Sequence, residues 1–321
     1  MKPRVVVTRK PPGAALDAVR EVADVWLWPE NRPIDRNVLL TQVADTVGLY
    51  CMLTDQIDDV VLEHAPLLKV VSNMAVGVDN IDLAACAERS IAVGHTPDVL
   101  TDSTADVAWM LILGASRRMS EGIDKARLGD WGNWDPAWLL GRDVANTTLG
   151  IIGMGRIGSA IAHRSVGFSM PVLYASRSAK PKVEEATGAL RVPLQELLTR
   201  ADHVVIAVPL SAETRHLIGP DELKLMKPTS NLVNIARGPI VDTDALVDAL
   251  TSGTIRCAGL DVTDPEPLPL DHPLLQLPNC TVIPHIGSST WETSTAMANL
   301  AAANLIAGLV GAPLPNRVPG T

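Results

Sequence analysis

Thr148-Leu-Gly-Ile-Ile-Gly-Met-Gly-Arg-Ile-Gly158 decides how the rest of the chain is read. Leu149 to Ile152 is a short apolar run of strand type, and Gly153, Gly155 and Gly158 follow in the spacing G-x-G-x-x-G before Ser159-Ala-Ile-Ala opens a helical pattern. Strand, glycines and helix in that order are the context a dinucleotide-binding fold requires; without it the spacing is only a glycine-rich turn. The first glycine permits the tight turn, the second lets backbone N–H groups approach a pyrophosphate, and the third lets the helix pack closely on the strand. The helix N-terminus, with its unpaired N–H groups and positive dipole end, then faces the phosphates.

The next strand, Pro171 to Ser176, bears on which dinucleotide is bound. An NAD site usually ends this strand with Asp or Glu, which grips the ribose 2′-OH. Here Ser176 stands 18 residues past Gly158, followed by Arg177 and, close by, Lys180. No carboxylate repels a 2′-phosphate, and a guanidinium is placed to bind one. NADPH is therefore the expected cofactor, with NADH the weaker partner; the alternative is that Arg177 is a solvated loop charge.

The chain has 321 residues, 47% of them hydrophobic, and a net charge of −9. That length favours two domains, and the apolar share is ample for two cores. The acidic balance argues against an electrostatic partnership with nucleic acid or an anionic membrane. Cys51, Cys86, Cys257 and Cys280 are scattered singly, so buried thiols in a reducing compartment are expected rather than a metal site or a redox pair. The N-terminal apolar core is too short for a signal peptide, and no run of about 18 apolar residues suits a membrane span, so the protein is expected in the cytoplasm.

Before the glycines, short apolar strands alternate with helices from Arg4 to about Val93, which implies a parallel sheet covered on both faces. The loop Ala75-Val-Gly-Val-Asp79 follows one of those strands, where open α/β sheets present ligands; it suits a carboxylate, or is a simple turn. From Thr101 a helical run is predicted to continue to about Leu128, with Ser103 and Asp106 suited to capping. Trp131, Trp134 and Trp138 then crowd a polar stretch, which points to an interface or to a cluster packed on its own domain. After the glycines a second βαβ series runs to Cys280-Thr-Val-Ile-Pro, and a long Ala-rich helix is predicted over 290–310.

Three polar residues follow the carboxyl ends of three predicted strands: Arg237, Glu266 and His285. In one parallel sheet all three project toward the crevice that receives a nicotinamide. Together they suit reduction of a 2-oxo acid. Hydride arriving at the keto carbon leaves negative charge on oxygen, which His285 can protonate. Glu266 can hold the other imidazole N–H and favour the imidazolium, while the Arg237 guanidinium can bind a carboxylate and polarise the carbonyl. The bland alternatives are a structural Arg–Glu pair and a core histidine.

Gly-Met-Gly-Arg-Ile-Gly, Asn-Ile-Ala-Arg-Gly-Pro-Ile-Val-Asp, Ala-Gly-Leu-Asp-Val and Pro-His-Ile-Gly-Ser, in this order, resemble the D-isomer-specific 2-hydroxyacid dehydrogenases over essentially the whole chain. Leu-Tyr-Ala-Ser-Arg and Asp-Pro-Glu-Pro-Leu are similar to the NADPH-preferring glyoxylate/hydroxypyruvate reductases of that family. The resemblance implies a smaller flavodoxin-like α/β substrate domain over 1–99 and 288–321, and a doubly wound Rossmann domain over 100–287 that binds NADP and forms a homodimer. It implies that the backbone of Val76 and Gly77 binds the substrate carboxylate, that Ser288 adds a hydroxyl, and that Asp261 lies near the nicotinamide amide. Arg156 and Ile157 are implied in the phosphate loop, Thr104, Val208, Pro209, Ala236, His285 and Gly287 around the cofactor, and Trp134 in the neighbouring subunit's substrate pocket. No metal is implied. Other 2-oxo acids, of the 2-ketogluconate or phenylpyruvate type, stay open. So do an NAD-linked enzyme working in the oxidative direction and a dinucleotide sensor without turnover.

Overall fold

In the computed structural model, which describes residues 2–321, short aliphatic strands alternate with helices along most of the chain. The first series is β1 (Arg4–Val7), α1 (Ala15–Val22), β2 (Asp24–Leu27), α2 (Arg36–Gln42), β3 (Gly48–Cys51), α3 (Asp59–Glu63), β4 (Val70–Asn73), α4 (Leu83–Glu88) and β5 (Ala92–Gly94). Two helices follow, α5 (Thr101–Ser116) and α6 (Met119–Leu128). The second series is β6 (Leu149–Ile152), α7 (Arg156–Ser165), β7 (Val172–Ala175), α8 (Pro181–Thr187), β8 (Leu190–Arg191), α9 (Leu194–Arg200), β9 (His203–Ile206), α10 (Pro220–Leu225), β10 (Asn231–Asn234), α11 (Thr243–Ser252), β11 (Cys257–Leu260), α12 (Pro273–Gln276) and β12 (Cys280–Val282), and α13 (Trp291–Leu309) comes last. Contacts divide these into two units, Met1–Leu100 with Ser289–Thr321, and Thr101–Ser288.

The first unit holds a five-stranded parallel sheet in the order β2-β1-β3-β4-β5, which reverses direction between β1 and β3. Strand residues alternate between two cores: Val6, Leu49 and Val71 face one way, Val5, Val7, Tyr50 and Val70 the other. Helix α13 closes the second face with Ala298, Ala301, Ala302 and Leu305. It is bonded there as well as packed, since the Tyr50 hydroxyl donates to the Ala298 carbonyl at 3.1 Å and the Ser72 hydroxyl to that of Ala301 at 2.7 Å. Its start is fixed by Thr290, whose hydroxyl accepts from the Thr293 N–H at 3.1 Å.

The second unit holds seven parallel strands in the order β12-β11-β10-β9-β6-β7-β8, the doubly wound arrangement with its reversal between β6 and β9. Again both faces are buried: Ile151, Val205 and Val233 pack with Leu111 and Ile112 of α5, while Val204, Ile206 and Leu232 pack with Leu197, Leu246 and Leu250.

One helix predicted to run to Leu128 is two. The chain breaks at Arg118, whose φ of +55° leaves the helical region. The Ser116 carbonyl is taken instead by the Arg142 N–H at 2.9 Å and the Arg256 guanidinium at 2.7 Å, donors far away in sequence. Ser103 lies inside α5 rather than at its cap, because the helix starts at Thr101. Helix α8 and the two-residue strand β8 were not anticipated; β8 pairs along only Leu190 and Arg191, too short to leave a pattern.

His203, buried at the start of β9, accepts from the Asn231 amide at 3.0 Å through Nδ1 and leaves Nε2 without a partner. Burial is the main force that pushes it down to about 4 from an ordinary 6.5. A depressed folded value means the unfolded chain takes up the proton first as pH falls, so the stability His203 contributes is full above pH 6.5 and lost on the way down to about 4. Between pH 7 and 4.5 the loss should be about 2 kcal/mol. Urea unfolding at both pH values should show that loss in the wild type, and His203→Leu should abolish it.

Candidate active site

The three glycines stand at the reversal of the second sheet, and each meets a different surrounding. Gly153 has φ +100°, and a Cβ there would come within 2.5 Å of the Ala207 carbonyl at the end of β9. A Cβ on Gly158 would lie 2.0 Å from the Gly153 carbonyl. Gly155, by contrast, caps α7, and its Cβ position meets no atom within 4 Å. Two glycines are thus demanded by the chain itself, and the middle one opens a cradle that a side chain would fill. Arg156 and Ile157 open the helix at that point, and Val208 packs beside Gly153 with Pro209 next to it. A pyrophosphate fits this cradle.

At the end of β7 the Ser176 hydroxyl donates to the Ser178 carbonyl at 2.5 Å, turning the chain so that Arg177 is exposed. The turn is held from β8, where Arg191 donates from Nε to the Ser176 carbonyl and from Nη2 to that of Arg177, both at 3.0 Å. Arg191 was not expected at this site. On the other side the Lys180 N–H donates to the Tyr174 hydroxyl at 2.8 Å, and that hydroxyl donates to Glu184. Three cationic side chains therefore belong to this one turn, and Glu184 is engaged by Tyr174.

Arg237, Glu266 and His285 follow β10, β11 and β12, which are consecutive neighbours in the sheet. Their loops are pressed together: a Cβ on Gly238 would lie 1.9 Å from the Thr263 carbonyl. The Arg237 guanidinium donates to the Ala236 carbonyl at 2.8 Å, and the Asn234 amide donates to the Arg237 carbonyl at 2.9 Å. Glu266 and His285 form a pair, Nδ1 to Oε1, at 2.6 Å. Burial works to raise the Glu266 carboxyl, yet the hydrogen bond and charge of His285, the Thr263 N–H and the Arg237 charge outweigh it and bring the group below its ordinary value. An ionised acceptor requires the proton on Nδ1, which leaves Nε2 as the ring nitrogen outside the pair.

His285 takes a left-handed conformation, φ +53°. The loop around it is fixed by Asp261, whose buried carboxylate accepts from the Ile286 N–H at 2.6 Å and the Gly287 N–H at 2.9 Å. Burial pushes the Asp261 carboxyl up, with those two N–H groups and the His285 charge opposing it. Its oxygens serve the main chain that carries His285, an engagement the sequence alone did not suggest. The Thr104 hydroxyl in α5 donates to the Gly287 carbonyl at 3.3 Å, and Ser288 closes the unit.

In the first unit Val76 and Gly77 follow β4. The carbonyls here are all anchored: Ala75 accepts from the Thr96 N–H at 2.9 Å, Val76 from the His95 ring at 2.9 Å, and Gly77 from the Asn73 amide at 3.0 Å. A trans peptide points its N–H opposite its carbonyl, so the Val76 and Gly77 amides turn away from these anchors. Asn73, Asn80 and His95 make this presentation, and none of them stood out in the sequence. Trp134 lies on the loop after α6 with 85% of its surface exposed, and Trp131 and Trp138 are exposed too, so these rings do not form a packed cluster within their own unit. Among the described residues no group of His, Cys, Asp and Glu could hold a metal ion. Among the described residues no helix is long and apolar enough to cross a membrane.

Residues 109–287 match the family model of the D-isomer specific 2-hydroxyacid dehydrogenase, NAD binding domain. The chain is 50% identical to the glyoxylate reductase of Thermococcus gammatolerans over 96% of its own length and 93% of that protein's. A crystal structure of a Thermus thermophilus protein superposes with a TM-score of 0.91 at 46% identity, covering 98% of this chain and 99% of that one. An NADPH-dependent glyoxylate/hydroxypyruvate reductase from Sinorhizobium meliloti, solved with NADP and malonate, superposes with a TM-score of 0.86 at 30% identity, covering 100% and 98%.

The glycine loop gives a paired prediction. Gly155→Ala should leave the melting temperature within about a degree or two and weaken dinucleotide binding about tenfold or more, because the methyl enters the open space of the cradle. Gly158→Ala should cost about 2 kcal/mol or more of stability, since backbone must move. Calorimetric melting and titration with NADPH separate the two.

Proposed function

The chain belongs to the D-isomer-specific 2-hydroxyacid dehydrogenases, and on that premise we propose that it reduces small 2-oxo acids, glyoxylate to glycolate and hydroxypyruvate to D-glycerate, with NADPH. The 2.6 Å pair between His285 and Glu266 carries this reading, because it commits one imidazole nitrogen and frees the other to give a proton. The first unit serves the substrate and the second the dinucleotide. When bound, the reduced nicotinamide supplies hydride to the keto carbon.

The chain's own groups do the rest. The Val76 and Gly77 amides hold the substrate carboxylate, with the Ser288 hydroxyl as a further donor. Arg237 draws the keto oxygen's electrons, and its fixed fork suits a planar carboxylate and carbonyl. His285 delivers its Nε2 proton to that oxygen as negative charge forms, and Glu266 stays ionised to stabilise the imidazolium. Asp261 and Gly287 hold the histidine's loop, and Asp261 would also accept from the nicotinamide amide of a bound cofactor. Thr104, Val208, Pro209 and Ala236 line the cofactor.

NADPH preference rests on the turn after β7, where Ser176 brings no negative charge and Arg177 and Lys180 supply positive charge for a 2′-phosphate. A homodimer rests on the large apolar side chains this segment leaves in water: Leu128, Trp131, Trp134 and Leu140 are each more than 60% exposed. In such a dimer Trp134 reaches the neighbouring subunit's substrate. The four cysteines are free and buried, with burial pushing Cys86 and Cys257 up to about 11, which suits a reducing, cytoplasmic setting.

Loss of NADPH absorbance with glyoxylate and with hydroxypyruvate tests the reading; turnover at least tenfold better with NADPH than NADH is expected, and tight NADPH binding with no turnover on any 2-oxo acid would sink it. His285→Ala should lower kcat about 10²-fold or more while NADPH still binds. Ser176→Asp with Arg177→Ala should shift the cofactor ratio toward NADH, and an unchanged ratio would refute the role given to that turn.

A further inference from the structure

The first unit has its own reversal point, between β1 and β3, and open α/β sheets bind ligands in the crevice beyond the strand ends at such a point. A cavity of about 420 Å³ lies there. Arg9 and Lys10, just past β1, line one side; Met52, just past β3, and Met74, just past β4, line another; the first turn of α13 contributes Trp291 and Ser294. Nothing in the mechanism above uses this space.

Its distinctive member is Arg9. The Nε and Nη2 atoms of its guanidinium are buried and make no hydrogen bond. Guanidinium nitrogens are obligate donors that are always charged, and taking them from water without an acceptor is costly. Asp55 is near enough for the Arg9 charge to oppose the upward push that burial gives its carboxyl, but it does not satisfy those nitrogens. Its Oδ2 is taken by the Thr8 hydroxyl and, at 2.8 Å, by the Met52 N–H. The cavity is thus lined by Arg9, whose Nε and Nη2 lie unpaired behind the cavity surface, and by a wall of methionines.

Its position relates it to the substrate. Met74 lines the cavity and lies two residues before Val76, and β1 and β4 are separated only by β3, so the two strand ends stand about 10 Å apart. An arginine side chain spans much of that distance. We infer that Arg9 is a specificity-determining residue that binds a second anionic group, carboxylate or phosphate, at the end of a 2-oxo acid remote from the keto acid, so that dianionic 2-oxo acids are substrates. This rests on the reduction proposed above. The methionines accommodate the intervening carbons, and Lys10 adds positive charge to the cavity.

The test compares 2-oxoglutarate with 2-oxopentanoate, which has the same carbon chain but ends in a methyl group. The wild type should favour 2-oxoglutarate in kcat/KM, and Arg9→Met should lower the ratio of the two about tenfold, the scale of a charge-assisted hydrogen bond. Arg9→Lys should restore most of it. Glutarate, which cannot be reduced, gives a readout without turnover: it should raise the melting temperature of the wild type and of Arg9→Lys, and leave that of Arg9→Met unmoved. Removal of unpaired buried nitrogens should not lower the melting temperature of ligand-free Arg9→Met, which checks that the variant folds. An Arg9→Met ratio within twofold of the wild type overturns the inference. So does a wild type that reduces glyoxylate but neither reduces 2-oxoglutarate nor responds to glutarate. A protein that reduces no 2-oxo acid yet is stabilised by glutarate through Arg9 would instead refute the proposed reduction and keep the anion site.

Discussion

The buried carboxylate of Asp261 links the architecture of the second unit to its chemistry. It sits at the end of β11, and its two oxygens hold the Ile286 and Gly287 N–H groups of the loop that leaves β12. That clamp keeps His285 in a left-handed backbone conformation, which few residues other than glycine adopt without support. The imidazole can then meet Glu266 from the neighbouring loop at 2.6 Å. The pressed contact of Gly238 on Thr263 adds the third loop, with Arg237, to the same assembly. The arrangement follows from a parallel sheet, in which every strand delivers its following loop to one edge. Side chains 19 residues apart, as Glu266 and His285 are, become neighbours without a long excursion of the chain.

Much of this was legible because it depends on local pattern. Glycine spacing, strand length and the apolar runs on each side of Gly153 identify the second sheet, and counting strands brings Arg237, Glu266 and His285 to adjacent ends. The aliphatic alternation before Val93 likewise reads as a parallel sheet. What stayed hidden depends on partners far away in sequence. The break at Arg118 arises because Arg142 and Arg256 compete for one carbonyl, and propensity within α5 carries no trace of them. Asn73 and His95 look like ordinary polar residues until the fold turns them onto the Val76–Gly77 carbonyls. Arg191 acts from a strand of two residues, below the length at which periodicity can be read. Arg9 reads as one of several charges near the start of the chain, and only the folded cavity gives it a distinct environment.

The two sites also differ in how they present charge. The turn after β7 sets its cations on an exposed surface, where water screens them. In the active-site loops, burial and pairing are balanced: Glu266 is held ionised by its neighbours, while Asp261, more deeply placed, is pushed the other way. Two carboxylates within one loop cluster thus have opposite tendencies: burial prevails over the partners of Asp261, and the partners of Glu266 prevail over burial.

Helix α13 gives the chain a particular order of assembly. Its alanines cover one face of β1, β3 and β4, and its carbonyls take the hydroxyls of Tyr50 and Ser72. During synthesis on the ribosome, all of residues 101–288 emerge between β5 and this helix. The second unit can complete its core while the first sheet still waits with an apolar face uncovered. A chain released with its last residue before α13 would therefore carry one finished domain and one adhesive one, which is where a holding chaperone has most to bind.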